Sequence, residues 1–143
     1  MTQKSLKNNR LKKDIHIPKV TDIALVAVPS EEEDAKDWDA LLLNLRKEPI
    51  TNVLIASKGY GNAEGKDVQT STLRKFFERI EANEFVSLEI IRPNLLSMAN
   101  EFWVSFYSNG EIYDKKFVFV ESSISKEHLT TIPVLNKKGV MIL

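Results

Sequence analysis

Cysteine is absent from this sequence of 143 residues, and histidine occurs only at His16 and His128. Without cysteine, a disulfide framework, a thiolate zinc site and a cysteine nucleophile are excluded, and an intracellular protein is favoured. The two histidines match no metal-binding spacing, and no serine lies in a G-x-S-x-G elbow. We therefore predict no metal site, no cofactor and no catalytic constellation.

An excess of charge of one sign is also missing, because twenty basic residues balance twenty acidic ones. A basic field over the whole domain, as nucleic-acid binding requires, is therefore excluded. No apolar run approaches the roughly 18 residues of a membrane span, and the amino terminus lacks the apolar core of a secretory signal. These absences predict a cytoplasmic protein with no membrane partner.

The charges that are present are distributed unevenly. Residues 1–13 contain only basic charges, and the first acidic residue is Asp14. This pattern predicts a flexible basic arm over residues 1–13, followed by a single globular domain over residues 14–143, which is about one domain in length. A solvated tail is the favoured interpretation of the arm, and salt-sensitive association with RNA is the alternative.

An acidic cluster, "SEEEDAKDWD", follows at residues 30–39. Carboxylates at this density suggest a calcium site, but a calcium loop needs alternating oxygen ligands and a central glycine, and this stretch has no glycine. Repulsion between neighbouring carboxylates favours a solvated loop.

Most of the domain has the patterns of β-strands. The segment "FVSLEII" alternates, so Val86, Leu88 and Ile90 are predicted on one face, with Ser87 and Glu89 on the other. The link "RKEP" lies between two further strand candidates, residues 38–45 and 50–57. It has the length of a hairpin turn, so those two strands are predicted to pair. Short apolar runs at 22–28, 38–45, 50–57 and 140–143 complete the prediction, with a hairpin over residues 101–120.

That hairpin carries the strongest local signal. Asn109-Gly110 between alternating apolar segments is typical of a type I′ turn, in which both central residues have positive φ. The turn predicts that Phe106 faces Tyr113 and Phe102 faces Phe117 on one side of the ribbon. Lys115 would then share this aromatic side, so we expect either a bulge there or an end of the ribbon that is open to water. The opposite side carries Trp103, Tyr107, Ile112 and Lys116.

One segment has a helical period. Leu73, Phe76, Phe77 and Ile80 recur at i, i+3, i+4 and i+7, which predicts an amphipathic helix over about residues 71–82. Together these patterns predict a mainly β protein at the border of α+β. It is either a single antiparallel sheet or a two-layer β-sandwich of about seven strands, with the helix in a connection.

The stretch "SKGYGNAEGKDVQTSTLRKFF", from Ser57 to Phe77, suggests a phosphate-binding loop. Two of the four diagnostic Walker A residues fail, because Tyr60 replaces the first glycine and Asp67 replaces the magnesium-binding hydroxyl. In the dinucleotide pattern, Glu64 replaces the third glycine. The favoured interpretation is a long connection between a strand and a helix.

Two groups of residues are the candidate ligand- or partner-binding sites. The first is the set Lys58, Tyr60, Lys66 and Arg74 around this glycine-containing stretch. The second is the face of the hairpin that carries Trp103 and Tyr107, which offers an aromatic platform for a base, a sugar or a protein. The alternative for the second group is that these aromatic residues belong to the core.

The segments "WDALLLNL", "SKGYG", "TSTLRKFF" and "NEFWVSFYSNGEIYDKKFVF" resemble a small bacterial family of uncharacterised proteins, from about Trp38 to the carboxyl end. Some members carry a label that mentions phenylalanyl-tRNA synthetase. This sequence has none of the motifs of a class II synthetase active site and is much too short for the catalytic subunit. The resemblance therefore implies a cohesive domain and no particular functional residue.

The sequence thus predicts a non-enzymatic binding or interaction domain for a protein or a small ligand. The alternative is a small enzyme or nucleotide-binding protein that uses residues 57–75. A weaker alternative is RNA association through the basic arm.

Overall fold

The computed structural model describes residues 19–32 and 34–143. The predicted basic arm, residues 1–13, lies outside the described residues. Ten β-strands and two 3-10 turns, at Pro93–Leu95 and Lys126–His128, make up the described part, which contains no α-helix. The strands are β1 (Ile23–Pro29), β2 (Trp38–Asn44), β3 (Ile50–Ala63), β4 (Lys66–Gln69), β5 (Leu73–Ile80), β6 (Phe85–Ile91), β7 (Ala99–Ser108), β8 (Glu111–Phe119), β9 (Thr130–Ile132) and β10 (Lys137–Ile142).

The strands form two antiparallel sheets. Sheet I has the order β6-β2-β1-β10-β9, and sheet II has the order β4-β3-β7-β8. The long strand β3 pairs with β5 along its first half and with β4 along its second half. The mainly β prediction is confirmed, and of the two predicted alternatives the structure has the two-layer sandwich, with ten strands in place of about seven.

The main core lies between the two sheets. Strand β7 alternates, so that Phe102, Val104 and Phe106 are buried against sheet I while Trp103 and Ser105 face outward. The Phe106 and Tyr113 rings stack with centroids 5.1 Å apart. A second, smaller apolar cluster lies on the outer side of sheet I and includes Ile132 together with residues of β1 and β2. These two strands are therefore buried on both sides. Continuous apolar runs, as in these two strands, are typical of strands that are buried on both faces.

The predicted amphipathic helix over residues 71–82 is wrong. This segment forms β5, which pairs with β3 in an antiparallel register from Ile50↔Ile80 to Ser57↔Leu73, interrupted at Asn52, where φ is 49°. Phe77 and Ile80 lie on the core side with their partners on β3, whereas Phe76 lies on the opposite side and is exposed. A helix this short is marginal in water unless its apolar stripe is buried, and the free edge of β3 offers backbone hydrogen bonds instead.

The predicted hairpin between residues 38–45 and 50–57 is also wrong. Strand β2 pairs with β1 and β6 in sheet I, and β3 belongs to sheet II, so the link between them crosses from one layer to the other. The expected alternation in β6 fails at one position as well. The register of β6 against β2 shifts between Ala40 and Leu41, and this bulge exposes Ile90 while Leu88 and Ile91 are buried.

The glycine-containing stretch is a hairpin, so the predicted long connection to a helix is wrong. Strand β3 continues through Gly59 and Gly61 to Ala63 and pairs with β4. The tight turn between them is formed by Glu64, with φ of 53°, and Gly65, with φ of 81°. Positive φ at both central residues is the signature of a type I′ hairpin turn. Since no helix follows β3, the geometry of a phosphate loop is absent from this part of the described chain.

The predicted hairpin around Asn109-Gly110 is confirmed. Asn109 has φ of 49° and Gly110 has φ of 78°, and Phe106 pairs with Tyr113 as expected. The register of β7 against β8 runs without a bulge, so Lys115 lies on the aromatic side opposite Val104. Its ammonium group lies 5.0 Å from the Phe117 ring centroid, a cation–π contact at the open edge of the sandwich.

Replacing Lys115 with valine is expected to cause self-association. Strand β8 pairs only with β7 among the described strands, and a charge on the inner side of such an edge strand opposes pairing with another chain. We expect the weight-average mass in sedimentation equilibrium to rise about twofold as the concentration increases. Lys138→Val, at an exposed position of β10, is the matched control and should stay unchanged. Identical masses for both variants would show that Lys115 does not protect this edge.

Candidate functional site

The structure separates the first group of predicted site residues. Lys58 and Tyr60 line one shallow hollow of about 660 Å³ beside the β3–β4 hairpin. Arg74 lines a different cavity, and Lys66 lines neither. The four side chains therefore do not converge on one pocket. The hollow is also lined by Asp67, Glu101 and Glu121, and this excess of carboxylates disfavours an anionic ligand.

The second group, Trp103 and Tyr107, lies on the solvent side of sheet II. The alternative that these aromatic residues are core is wrong, because the core side of the hairpin is the one with Phe102 and Phe106. Five large apolar side chains share this exposed side, which we call the outer face. They are Leu54 (47% exposed), Phe76 (60%), Trp103 (44%), Tyr107 (44%) and Ile112 (57%).

Trp103 is held in place by its neighbours on β8. Its Nε1–H donates a hydrogen bond to Asp114 Oδ1, and the Ser105 hydroxyl donates to the same oxygen at 3.0 Å. The ammonium group of Lys116, which is paired with Trp103 across the ribbon, lies 5.8 Å from the indole centroid. An aromatic side chain that is fixed in this way loses little conformational entropy when it binds a partner.

The outer face is organised in rows that run across the strands. One row follows the register from Arg74 through Ala56 to Trp103 and Lys116. The next row runs from Phe76 through Leu54 and Ser105 to Asp114. Basic and acidic side chains are interspersed among the apolar ones, so the face carries no field of one sign.

The sequence did not reveal a cleft that opens between the two sheets. The Ser57 hydroxyl, from sheet II, donates a hydrogen bond to Glu89 Oε1, from β6 of sheet I. The two residues are 32 positions apart, so no local pattern could relate them. The alternation of β6 placed Glu89 with Ser87 on its polar side and gave no sign of a partner in the other sheet. We call this cavity of about 500 Å³ the side cleft, and its walls are Ile55, Ser57, Leu73, Arg74, Lys75, Leu88, Glu89, Ile90 and Arg92.

Four carboxylates of the acidic cluster, those of Glu31, Glu32, Asp37 and Asp39, line a third cavity on the outer side of sheet I. Two of them form ion pairs: Arg92 lies 3.0 Å from Asp37, and Lys137 lies 2.7 Å from Glu31. Within residues 19–32 and 34–143, no three acidic or histidine side chains are grouped to hold a metal ion.

Lys137 also changes the titration of Glu31. The hydrogen bond from Lys137, and then its positive charge, hold the pKa of Glu31 below its usual value. A lowered pKa stabilises the folded state only where the carboxyl is ionised, so this contribution is lost as the pH falls through the lowered pKa. Both side chains are exposed, and such an ion pair contributes little.

His128, the histidine within residues 19–32 and 34–143, contacts the loop that precedes its own turn. His128 Nδ1 lies 2.9 Å from the carbonyl oxygen of Ser123 and 3.1 Å from the Ser125 hydroxyl. In the tautomer with the proton on Nδ1, this nitrogen donates to the Ser123 carbonyl and cannot also accept the proton of Ser125.

The chain was compared with protein-family models and with curated proteins, and neither comparison gives a match. The resemblance to a small bacterial family therefore stays a prediction. None of the helical segments in the described part of the chain is long and apolar enough to cross a membrane.

Proposed function

We propose that this domain is a non-enzymatic protein-binding module that contacts its partner through the outer face of sheet II. The observation that carries the proposal is the grouping of Leu54, Phe76, Trp103, Tyr107 and Ile112, exposed together on four adjacent strands. A contiguous apolar patch on a folded domain is typical of an interaction surface.

The shape and the charge of the outer face favour a protein over other ligands. Sites for small molecules are concave, whereas this surface is the open side of a sheet. A polyanion needs a basic surface, and here the acidic residues Glu101 and Asp114 lie among the basic ones. Three strand spacings separate β5 from β8, so the patch is about 14 Å wide. This size fits the apolar centre of an interface, with the surrounding charged residues as its rim.

Replacing Trp103 with alanine is expected to weaken partner binding by at least about tenfold, since rigid, central aromatic residues dominate such interfaces. The partner is first captured by a photoreactive amino acid at Ser105, in the middle of the outer face, and binding is then measured with the purified pair. Because Trp103 is part of the solvent side, thermal unfolding should show that the variant remains folded.

Leu143→Ala is the matched control, because Leu143 is an exposed apolar residue that lies outside sheet II. It should leave the affinity unchanged. A second photoreactive site at Glu127, in the exposed 3-10 turn, should give no adduct. Adducts from Glu127 and none from Ser105, or equal affinities for the Trp103 and Leu143 variants, would overturn the proposal.

A further inference from the structure

The side cleft is concave, and its base is apolar. Ile55 of β3 and Leu88 of β6 line it and are buried, although they belong to different sheets. Leu73 and Ile90 also line it and are 53% and 48% exposed. Sites for small molecules are clefts of about 300–1,000 Å³ with mainly apolar walls. The side cleft, at about 500 Å³, has this size, and the apolar part of a ligand would cover Leu73 and Ile90.

Basic residues outnumber acidic ones in the side cleft. Arg74, Lys75 and Arg92 line it, together with the single carboxylate of Glu89. Arg92 lies 3.0 Å from Asp37, so its charge is largely compensated. Arg74 and Lys75 have no carboxylate within 4.0 Å among residues 19–32 and 34–143. Two available cations therefore exceed one carboxylate, and the cleft favours an anionic ligand over a cationic one.

Lys75 is the cation that faces the interior of the cleft. The register pairs it with Ile55, whose side chain lies on the core side of sheet II. Arg74 pairs with Ala56 in a row of the outer face, so it contributes at the rim. An inward charge on an edge strand also opposes pairing with another chain, so Lys75 keeps the mouth of the cleft free of a further strand. The cleft is thus open to a small molecule and offers it an ammonium group above an apolar base.

Glu89 sets the direction in which a ligand would lie. Its carboxylate accepts a hydrogen bond from the Ser57 hydroxyl, on the side of β6 that faces sheet II. An anionic group is repelled by Glu89 and attracted by Lys75, which lies on β5 in the opposite wall. The anionic end of the ligand would therefore lie at β5, and the apolar part would extend over Leu73 toward Ile90.

We infer that the side cleft binds a small amphipathic anion with one apolar chain and one carboxylate, such as a medium-chain fatty acid. The carboxylate would accept charge-assisted hydrogen bonds from Lys75 and from Arg74 at the rim. An anionic membrane is recognised by clusters of roughly 4–8 basic residues, whereas three line this cleft, so the ligand is a free molecule. The inference does not rest on the proposed function, because the cleft lies between the sheets and the outer face is on the solvent side of sheet II.

A series of straight-chain amphiphiles tests the inference, with affinities measured by nuclear magnetic resonance titration of the whole protein. We expect octanoate to bind at least about tenfold more tightly than 1-octanol, because only the carboxylate is complementary to Lys75. Octylammonium should bind more weakly than either. From hexanoate to decanoate the affinity should rise about fourfold for each added methylene, since each one removes further apolar surface from water. Equal affinities for octanoate and octylammonium, or no binding of decanoate below its micelle concentration, would overturn the inference.

Two leucine variants test the location of the bound chain. Leu73→Ser should weaken the binding of decanoate by about tenfold, because the apolar chain loses a contact. Leu54→Ser is the matched control, since Leu54 is 47% exposed, a fraction similar to that of Leu73, but lies on the outer face. It should leave the affinity unchanged. The opposite result would place the amphiphile on the outer face and would contradict the inference.

Lys75→Gln tests the role of the charge. It should weaken the binding of octanoate by about tenfold and leave that of 1-octanol unchanged, whereas Lys138→Gln, on β10 and outside the cleft, should change neither. A Lys75→Gln variant that self-associates in sedimentation equilibrium, yet binds octanoate as tightly as the parent does, would show that Lys75 only protects the edge of β5. Retention of the protein by vesicles of anionic lipid would identify a membrane as the source of the anionic group. Either of these two results would contradict the inference.

Discussion

Asn44→Ala is expected to lower the free energy of unfolding by about 3 kcal/mol, because three carbonyl groups, one buried and two part-buried, lose a shared donor at once. Asn44 is fully buried at the end of β2. Its Nδ2 lies 3.1 Å from the carbonyl oxygen of Glu48, 3.2 Å from that of Ile80 and 3.1 Å from that of Glu81. Its Oδ1 accepts a hydrogen bond from the Arg46 backbone at 2.9 Å.

These contacts connect Asn44 to two links, β2–β3 and β5–β6, each of which passes from one sheet to the other. Arg46 and Glu48 lie in the link from β2 to β3, and Glu81 lies in the link from β5 to β6. The backbone of Asn44 also pairs with the second link, through hydrogen bonds with Asn83 and Glu84. Removal of the amide therefore affects the place where the two layers are connected, and the loss exceeds that of one surface hydrogen bond.

Chemical and thermal denaturation measure this effect. A loss of 3 kcal/mol corresponds to a decrease of about 10 °C in the melting temperature for a chain of this size. Asn44→Asp should be at least as unstable, because a carboxylate cannot donate to the carbonyl groups that surround it. Asn62→Ala is the matched control, since the Asn62 side chain bonds only to exposed partners, and it should change the stability by less than about 1 kcal/mol. A stable Asn44→Asp variant would show that donation from Nδ2 is unimportant.

Gly139→Ala is expected to lower the free energy of unfolding by about 2 kcal/mol through overpacking. Gly139 lies in β10 where it approaches β1 closely. A Cβ atom at this position would lie 2.8 Å from the carbonyl oxygen of Ala27, 3.1 Å from Val26 Cγ1 and 3.3 Å from Ile132 Cγ1. The first neighbour is backbone inside a paired sheet, so it cannot move without disturbing the ladder.

Gly61→Ala provides a control in a strand of the same fold. A Cβ atom at Gly61 would lie 3.5 Å from the Met98 side chain, which is an ordinary contact. This variant should keep the stability of the parent or gain slightly, because alanine reduces the freedom of the unfolded chain. Denaturant titration should therefore give a lower free energy of unfolding for Gly139→Ala than for Gly61→Ala. Equal stabilities would show that β10 can shift away from Ala27.

The hairpin around Asn109-Gly110 could be predicted from the sequence because all of its determinants are local. The turn requires positive φ at two adjacent positions, and Asn-Gly supplies it. Once the turn is set, the period of two assigns every side chain of β7 and β8 to a face. The apolar run of β1 was equally clear, because no polar residue interrupts it.

The sequence could not decide which side of that hairpin faces the core. Both sides carry aromatic residues, and only the packing of sheet I against Phe102 and Phe106 leaves Trp103 and Tyr107 outside. The candidate interaction surface was therefore visible as a pattern, while its exposure was a property of the tertiary structure.

The sequence by itself determined the mainly β class, the strands with uninterrupted or alternating apolar patterns, and the register of one hairpin, because these depend on neighbouring residues. The tertiary structure decided the state of residues 73–80, whose spacing suits a helix but whose backbone pairs with the free edge of β3. It also decided the meeting of Ser57 and Glu89, since contacts between sheets join residues that no periodicity relates. The backbone of β5 needed a partner and the two sheets needed to cover each other, and both requirements are met only in the folded chain.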